Sequence, residues 1–270
     1  VVSPAIRELL DRALAEDIGS GDITSQLTVP ESLEASGTFF ARQDCVIAGM
    51  SLLPELYDSI ELLVEDGTRV TDGTPIAHVR GKARRLLTLE RTALNLLQRL
   101  AGIATLTRQY VDAMAGTNCR LLDTRKTTPG LRLLEKMATK AGGATNHRMG
   151  LYDAVLIKNN HISAAGSVTK ALKGALGQHP IVEIEVRTWD ELNEALDAGA
   201  TRLLLDNLTP AEARRWIEHI AGRASCEISG GVTLATIRAY AEAGADFVSV
   251  GALTHSATAV DLNFRLTLLP

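Results

Sequence analysis

The stretch IVEIEVRTWDELNEALDAGATRLLLDNLTP, residues 181–210, decides how the chain folds. It opens with a short apolar run, VEIEV, of strand length and bounded by polar residues. Thr188-x-x-Glu191 then carries the capping-box signature of a helix start, and Gly199 closes that helix at its C-terminal side. A second apolar run, LLLD, stops at Asp206. The next helix opens at Thr209-Pro210-x-Glu212, with proline where a first helical residue belongs. Strand, returning helix and strand make a parallel pair, because a helix of this length carries the chain back to its starting edge.

The same unit recurs on both sides. Apolar runs end at Asp123, Lys158, Glu185, Asp206, Ser229 and Gly251, at intervals of 35, 27, 21, 23 and 22 residues. Gly222 and Gly244 close two further helices. Repeated units of this kind imply a parallel sheet, here long enough to curl into a barrel, with the active site at the C-terminal ends of the strands. Those ends read Asp123-Thr124-Arg125-Lys126, Lys158-Asn159-Asn160-His161, Glu185, Asp206-Asn207, Ser229-Gly230-Gly231 and Ser249-Val250-Gly251. Every one is polar or glycine, which structural capping alone explains at one or two positions but not at six.

The first half is less regular. Ile6, Leu9, Leu10, Ala13 and Leu14 follow helical spacing, and residues 36–82 read as short strands and turns. From Leu86 to about Ala115 the pattern is helical. An apolar stripe runs through Leu89, Ala93, Leu96, Leu97, Leu100 and Ala104. A polar one runs through Arg91, Asn95 and Gln98, and Gly102 is a candidate bend. VEDGTRVTDGTPIAHVRG, residues 64–81, resembles the glycine-spaced hairpins of biotin-carrier and lipoyl modules. It lacks the lysine a carrier needs at the hairpin tip, so it reads as scaffold.

The chain has 270 residues with a net charge of -4, which argues against general affinity for nucleic acid or membrane surfaces. No apolar run reaches spanning length, and the first residues lack the layout of a signal peptide. Three widely spaced cysteines, Cys45, Cys119 and Cys226, suit a reducing cytoplasm and inert buried thiols better than a disulfide framework. The charge is uneven. Residues 120–160 hold eight basic side chains against three acids, a local +5 in an acidic chain. Arg132, Lys136 and Lys140 stand at helical spacing and read as a solvated face. Arg125, Lys126 and Lys158 directly follow apolar runs and read as a pocket for a small polyanion.

Three chemical requirements can be met at the strand ends. Ser229-Gly230-Gly231 and Ser249-Val250-Gly251 let backbone N–H groups approach a phosphate, helped by a following helix N-terminus. Glu185 and Asp206 could hold magnesium beside substrate oxygens, or bond ribose hydroxyls. Arg125, Lys126, His147, Arg148 and Lys158 would repel one another unless the ligand carried several negative charges. The six histidines show no zinc-ligand spacing.

Several stretches together are family-specific: EDIGSGDITS (16–25), LERTALNLLQRLAGIAT (89–105), DTRKTTPGLR (123–132) and NHRMGLYDAVLIKNNHI (146–162). EIEV (183–186), LLLDN (203–207), EISGGVT (227–233) and SVGALTHS (249–256) continue the pattern. On these residues the chain resembles the quinolinate phosphoribosyltransferases, nearly end to end. The resemblance implies an α/β protein of two domains. Residues 1–108 would form an N-terminal α/β sandwich, joined by about 265–270, and residues 109–264 an incomplete TIM-like α/β barrel of seven strands. It implies transfer of a phosphoribosyl group from phosphoribosyl pyrophosphate to quinolinate, with loss of carbon dioxide, as a step of NAD synthesis. Mg2+ would accompany phosphoribosyl pyrophosphate, with no organic cofactor. It implies a homodimer with sites near the subunit boundary, in which Arg91 completes the neighbouring subunit's site. Quinolinate contacts fall on Arg125, His147, Arg148 and Lys158, with Lys126 also lining the site. Lys126, Lys158, Glu185 and Asp206 are the catalytic candidates. Glu185 and Asp206 would face ribose and metal. Ser229, Gly230, Gly231, Ser249 and Gly251 would hold the 5-phosphate. Asn159 and Arg187 depart from the pattern, where relatives often carry an acid, or an acid or small residue, respectively. The competing readings are a transferase for another aromatic carboxylate such as nicotinate, a phosphate-binding barrel isomerase or aldolase, and a carrier module.

Overall fold

The computed structural model describes residues 2–269. In chain order the elements are α1 (Pro4–Ile18), α2 (Ile23–Thr28), β1 (Glu34–Ala41), β2 (Cys45–Val46), α3 (Leu53–Leu56), β3 (Ser59–Leu62), β4 (Arg69–Val70), β5 (Pro75–Lys82) and α4 (Ala83–Ala113). They continue with β6 (Arg120–Leu122), α5 (Arg132–Gly142), β7 (Val155–Ile157), α6 (Asn159–Ala165), α7 (Val168–Ala175), β8 (Val182–Val186), α8 (Trp189–Asp197) and β9 (Arg202–Asp206). The last are α9 (Pro210–Ile220), β10 (Ser225–Ser229), α10 (Ile237–Ala241), β11 (Phe247–Ser249), α11 (Ala252–His255) and β12 (Leu262–Leu268). The chain divides into two compact units. One takes, among the described residues, 2–108, Thr127–Gly143 and 253–269. The other takes Gln109–Lys126 and Ala144–Ala252.

In the first unit an antiparallel sheet runs β12-β1-β5-β3, with β2 and β4 paired separately. Strand β1 alternates buried and open positions, as a half-buried antiparallel strand must. Its inward residues join Ile76, Val79, Leu86, Leu97 and Ile103 in one core. The returning strand starts at Leu262, opposite Ala41, earlier than the expected 265. Helix α4 is continuous across Gly102, so the expected bend there is absent. A Cβ at Gly102 would collide with the Thr258 carbonyl, which is why the position is glycine. The polar stripe of this helix is only partly solvated, since Gln98 Nε2 donates to the Leu262 carbonyl at 3.0 Å.

Helix α5 was expected within the barrel domain, but it belongs to this first unit, and a buried ion pair explains the placement. Arg99 Nη2 on α4 lies 2.9 Å from Oε1 of Glu135, which is fully buried. Thr128 donates to the same carboxylate through its N–H and hydroxyl, so the buried charge is well satisfied. Of the three cations read as a solvated face, Lys140 is exposed but Lys136 is 1% exposed. Helical spacing misjudged Lys136, because burial is set by what covers a helix face and not by periodicity within it.

The second unit is built on a parallel sheet of order β6-β11-β10-β9-β8-β7. All six apolar runs form strands, and each ends at or within two residues of the position read from the sequence. The seventh strand implied by the resemblance is reduced, among the described residues, to a single parallel bridge between Leu122 and Thr145. Ile184, Leu203, Leu205, Ile228 and Val248 lie on one face of the pleat and are fully buried. Pleat alternation puts Glu183, Glu185, Asp206, Glu227 and Ser229 on the other. Thr209 and Glu212 make both bonds of the capping box at α9. At α8 only half of it forms: Thr188 caps Glu191 N–H, while the Glu191 carboxylate reaches one residue further back, to Arg187 N–H. The three cysteines are buried and free, and burial pushes the Cys119 and Cys226 thiols up to about 12.

Candidate active site

The second unit carries every expected site residue except Arg91, which is exposed on α4 in the first. Behind β6, Asp123 is fully buried and organises the loop that follows Thr145. Its carboxylate accepts from Asn146 Nδ2 at 2.6 Å and from His147 N–H at 2.8 Å. This fixes the backbone from which His147 and Arg148 emerge. Arg148 Nη1 donates to the Ala154 carbonyl at 3.0 Å, and Asp153 accepts the N–H groups of Met149 and Gly150. Burial, and then the nearby Arg125 guanidinium, lower the Arg148 pKa. Two arginines held this close call for an anion between or beside them.

The His147 ring is engaged on both sides. Its Nδ1 accepts from Arg148 N–H at 2.7 Å, and its Nε2 lies 3.3 Å from Glu227 and 3.4 Å from Glu183. Burial opposes a charge on this ring. The hydrogen bonds and attraction of the two glutamates outweigh burial and push its pKa up to about 9. Burial in turn raises the Glu183 pKa, opposed by His147 and reinforced by Glu227. Sequence reading missed Glu183 and Glu227. A glutamate inside an apolar run was the only signal, and only the outermost one on β8, Glu185, was used. The three side chains could together ligate a metal ion. With Nδ1 accepting, the ring carries its proton on Nε2, between the two carboxylates; the second proton that the glutamates favour would take Nδ1 from the Arg148 N–H.

Nearer the strand ends lies a second cluster. Lys158 Nζ sits 3.1 Å from Glu185 Oε2. Arg187 Nη2 sits 2.8 Å from Glu185 Oε1, a charge contact without a well-aligned hydrogen bond, and Arg187 Nε sits 3.3 Å from Asp206 Oδ2. Asn207 Nδ2 donates to Asp206 Oδ2 at 2.7 Å. Lys158 leaves the backbone at the start of α6, where His161 Nδ1 accepts its N–H at 2.9 Å. Lys126 is exposed in the loop after β6, with its N–H bonded to Thr124 Oγ1. Arg187 thus bridges Glu185 and Asp206.

The glycine loops also lie at the strand ends. Gly230 and Gly231 have φ of 91° and 65°, and a Cβ on Gly230 would strike the Asn207 side chain. Asn207 itself is left-handed, with φ 58°, and donates its N–H to the Ser229 carbonyl. Glycine is therefore required where these two loops touch. The helix that follows Gly231 starts at Ile237. Ser249 is buried, and Gly251 immediately precedes the short α11.

A parallel α/β sheet with arginine, lysine, carboxylate and glycine at its C-terminal edge defines an enzyme for a small polyanion. Residues 22–101 match the family described as quinolinate phosphoribosyl transferase, N-terminal domain, and residues 103–265 match its C-terminal domain. The chain belongs to the quinolinate phosphoribosyltransferase family. It is 43% identical over 272 residues to a probable nicotinate-nucleotide pyrophosphorylase [carboxylating] of Bacillus subtilis, covering 97% of this chain and 94% of that one. It is 42% identical to the nicotinate-nucleotide pyrophosphorylase [carboxylating] of Mycobacterium leprae, over 97% of each chain. The crystal structure of NadC from Streptococcus pyogenes superposes with a TM-score of 0.95 at 38% identity, over 100% of this chain and 99% of that one. Human nicotinic acid phosphoribosyltransferase shares the fold alone, with a TM-score of 0.67 at 12% identity over 99% of this chain and 75% of that one. Among the described residues no helix is long and apolar enough to cross a membrane.

Proposed function

We infer that this chain is a carboxylating nicotinate-nucleotide pyrophosphorylase. It transfers the phosphoribosyl group of phosphoribosyl pyrophosphate to quinolinate and releases pyrophosphate and carbon dioxide, in the synthesis of NAD. The observation that carries this reading is the arrangement of Arg125, Arg148 and Lys158 about the strand ends, beside Glu185 and Asp206. A dicarboxylate next to a diphosphate supplies the negative charge these cations require. The second unit's sheet is read as an incomplete TIM-like barrel.

We assign quinolinate to Arg125, Arg148 and Lys158, with His147 and Lys126 beside them. Arg91 of the partner subunit would complete the site in a homodimer, a reading the exposed Leu151 and Tyr152 beside Arg148 support. The pyridine nitrogen attacks the anomeric carbon as pyrophosphate departs, and the sugar passes through an oxocarbenium-like state. Glu185 and Asp206 stabilise that positive charge, while Lys126 and Lys158 oppose the negative charge of the departing group. Ser229, Gly230, Gly231, Ser249 and Gly251 hold the 5-phosphate. N-ribosylation leaves the ring nitrogen cationic, so the ring stabilises the carbanion formed when the 2-carboxylate leaves as carbon dioxide, and a proton from solvent then completes the C2–H bond. No organic cofactor enters this scheme. Glu185 and Asp206 are hard oxygen donors of the kind magnesium takes, and would hold it once their cations move aside. Bound there, the ion would neutralise diphosphate charge. A cytoplasmic location fits three unpaired, buried thiols.

Incubation with quinolinate, phosphoribosyl pyrophosphate and magnesium should yield nicotinate mononucleotide, and a parallel incubation with nicotinate should not. Product from nicotinate alone would move the assignment to the related transferases. Mixing Arg91→Ala with Lys158→Ala subunits should restore part of the activity through one undamaged hybrid site. Verified hybrid dimers without activity would place Arg91 in its own subunit's site or in none.

A further inference from the structure

Arg187 occupies the place a cation would take. Its guanidinium spans Glu185 Oε1 at 2.8 Å and Asp206 Oδ2 at 3.3 Å, while Lys158 holds Glu185 Oε2 at 3.1 Å. Two carboxylates therefore face two side-chain cations, and the cluster is electrically balanced without a metal. The contact is also built to open. The Arg187 side chain is 45% exposed, whereas Glu185 is 3% exposed. Its N–H is anchored on Glu191 Oε2 at 2.7 Å, at the start of α8, so the guanidinium can swing away without moving β8. The Glu185 Oε1 contact lacks a well-aligned hydrogen bond, so little directional bonding is lost when it opens.

We propose that Arg187 is a displaceable latch across Glu185 and Asp206, which keeps free divalent cations off this pair until an anionic diphosphate draws the guanidinium away. A free dication approaching the closed pair meets no net charge and must displace an arginine. A dication arriving with a diphosphate brings the anion that the arginine can follow. The metal then enters with its substrate and not ahead of it. The inference rests on the reading of Glu185 and Asp206 as metal ligands, and the test separates the two.

Mn2+ binding to the substrate-free protein, followed by the electron paramagnetic resonance signal of the unbound ion, reads the latch directly. Arg187→Ser should bind Mn2+ about tenfold or more tighter than the unaltered protein, and Arg187→Lys should stay weak because it keeps the charge. Adding Asp206→Asn to Arg187→Ser should remove the gain. With inorganic pyrophosphate present, the unaltered protein should approach the affinity of Arg187→Ser. Equal binding by the unaltered protein and Arg187→Ser, abolished in both by Asp206→Asn, would uphold the ligands and overturn the latch. Binding to neither, or binding indifferent to Asp206→Asn, would overturn the ligand reading and the latch with it. Unchanged thermal melting of the half-exposed Arg187 variants separates these outcomes from misfolding.

Discussion

Glu183 and Glu185 stand two residues apart on the same face of β8, yet they belong to two different kinds of charge cluster. Glu183 meets His147 and Glu227 in a buried trio whose members are 14% exposed or less. Glu185 meets Lys158 and Arg187, whose side chains are 48% and 45% exposed. The inner cluster is buried around a single imidazole, so it acts as a fixed holder for the loop that presents Arg148. The outer one has two cations on long, half-solvated side chains, so its partners can trade places with a ligand. One turn of the pleat separates structure from chemistry.

Four substitutions or titrations set the two clusters against each other. His147→Leu should have the largest effect on folding, because it leaves two buried carboxylates facing each other without the imidazole between them. Breaking a buried ionic group in this way costs about 3–5 kcal/mol. Urea unfolding checks it, and a loss below about 1 kcal/mol would mean the trio is not charged as described. Lys158→Ala should do the reverse. Its exposed pairing contributes about 1 kcal/mol or less to stability. Its loss from the substrate site should lower kcat/KM by roughly ten- to a hundredfold, the worth of one charge-assisted hydrogen bond.

The clusters should also differ in pH dependence. The folded-state pKa of His147 is raised, to about 9 from 6.5. Its charge therefore contributes stability that is fully present below about 6.5 and is lost as pH rises through 9. The raised pKa of Glu183 acts in the same direction. Between pH 7 and 9.5 the protein should lose stability that His147→Gln does not lose, and the His147 imidazole should titrate near 9 by NMR. A midpoint near 6.5 would contradict the trio. Thr209→Ala, at the capping box of α9, removes bonds to Glu212 and none to either cluster, so it should cost only about 1 kcal/mol with no change in KM.

The parallel sheet and its strand ends were legible because apolar runs, capping boxes and closing glycines recur at nearly even intervals. The outer cluster was legible for the same reason: Lys158, Glu185 and Asp206 each close a run. Arg187 was visible as a departure from the family pattern, but its reach to both carboxylates depends on where β9 ends beside β8. The inner cluster was not legible. Glu183 and Glu227 lie inside strands, where a buried glutamate and a solvated one look alike until the sheet sets the face. His147 read as a substrate contact, whereas both of its ring nitrogens are taken up by the protein. Lys136 failed for the corresponding reason on a helix. The unit to which α5 belongs was hidden too, since the Arg99–Glu135 pair joins residues with no pattern between them.

Coupling of ribosyl transfer to loss of the 2-carboxylate is the defining property of this reaction. Quinolinate labelled with carbon-14 in that carboxyl group measures it, with pyrophosphate counted in the same reaction. One equivalent of labelled carbon dioxide per pyrophosphate is the predicted result, with all product recovered as nicotinate mononucleotide. Pyrophosphate release with the label retained in the nucleotide would contradict it.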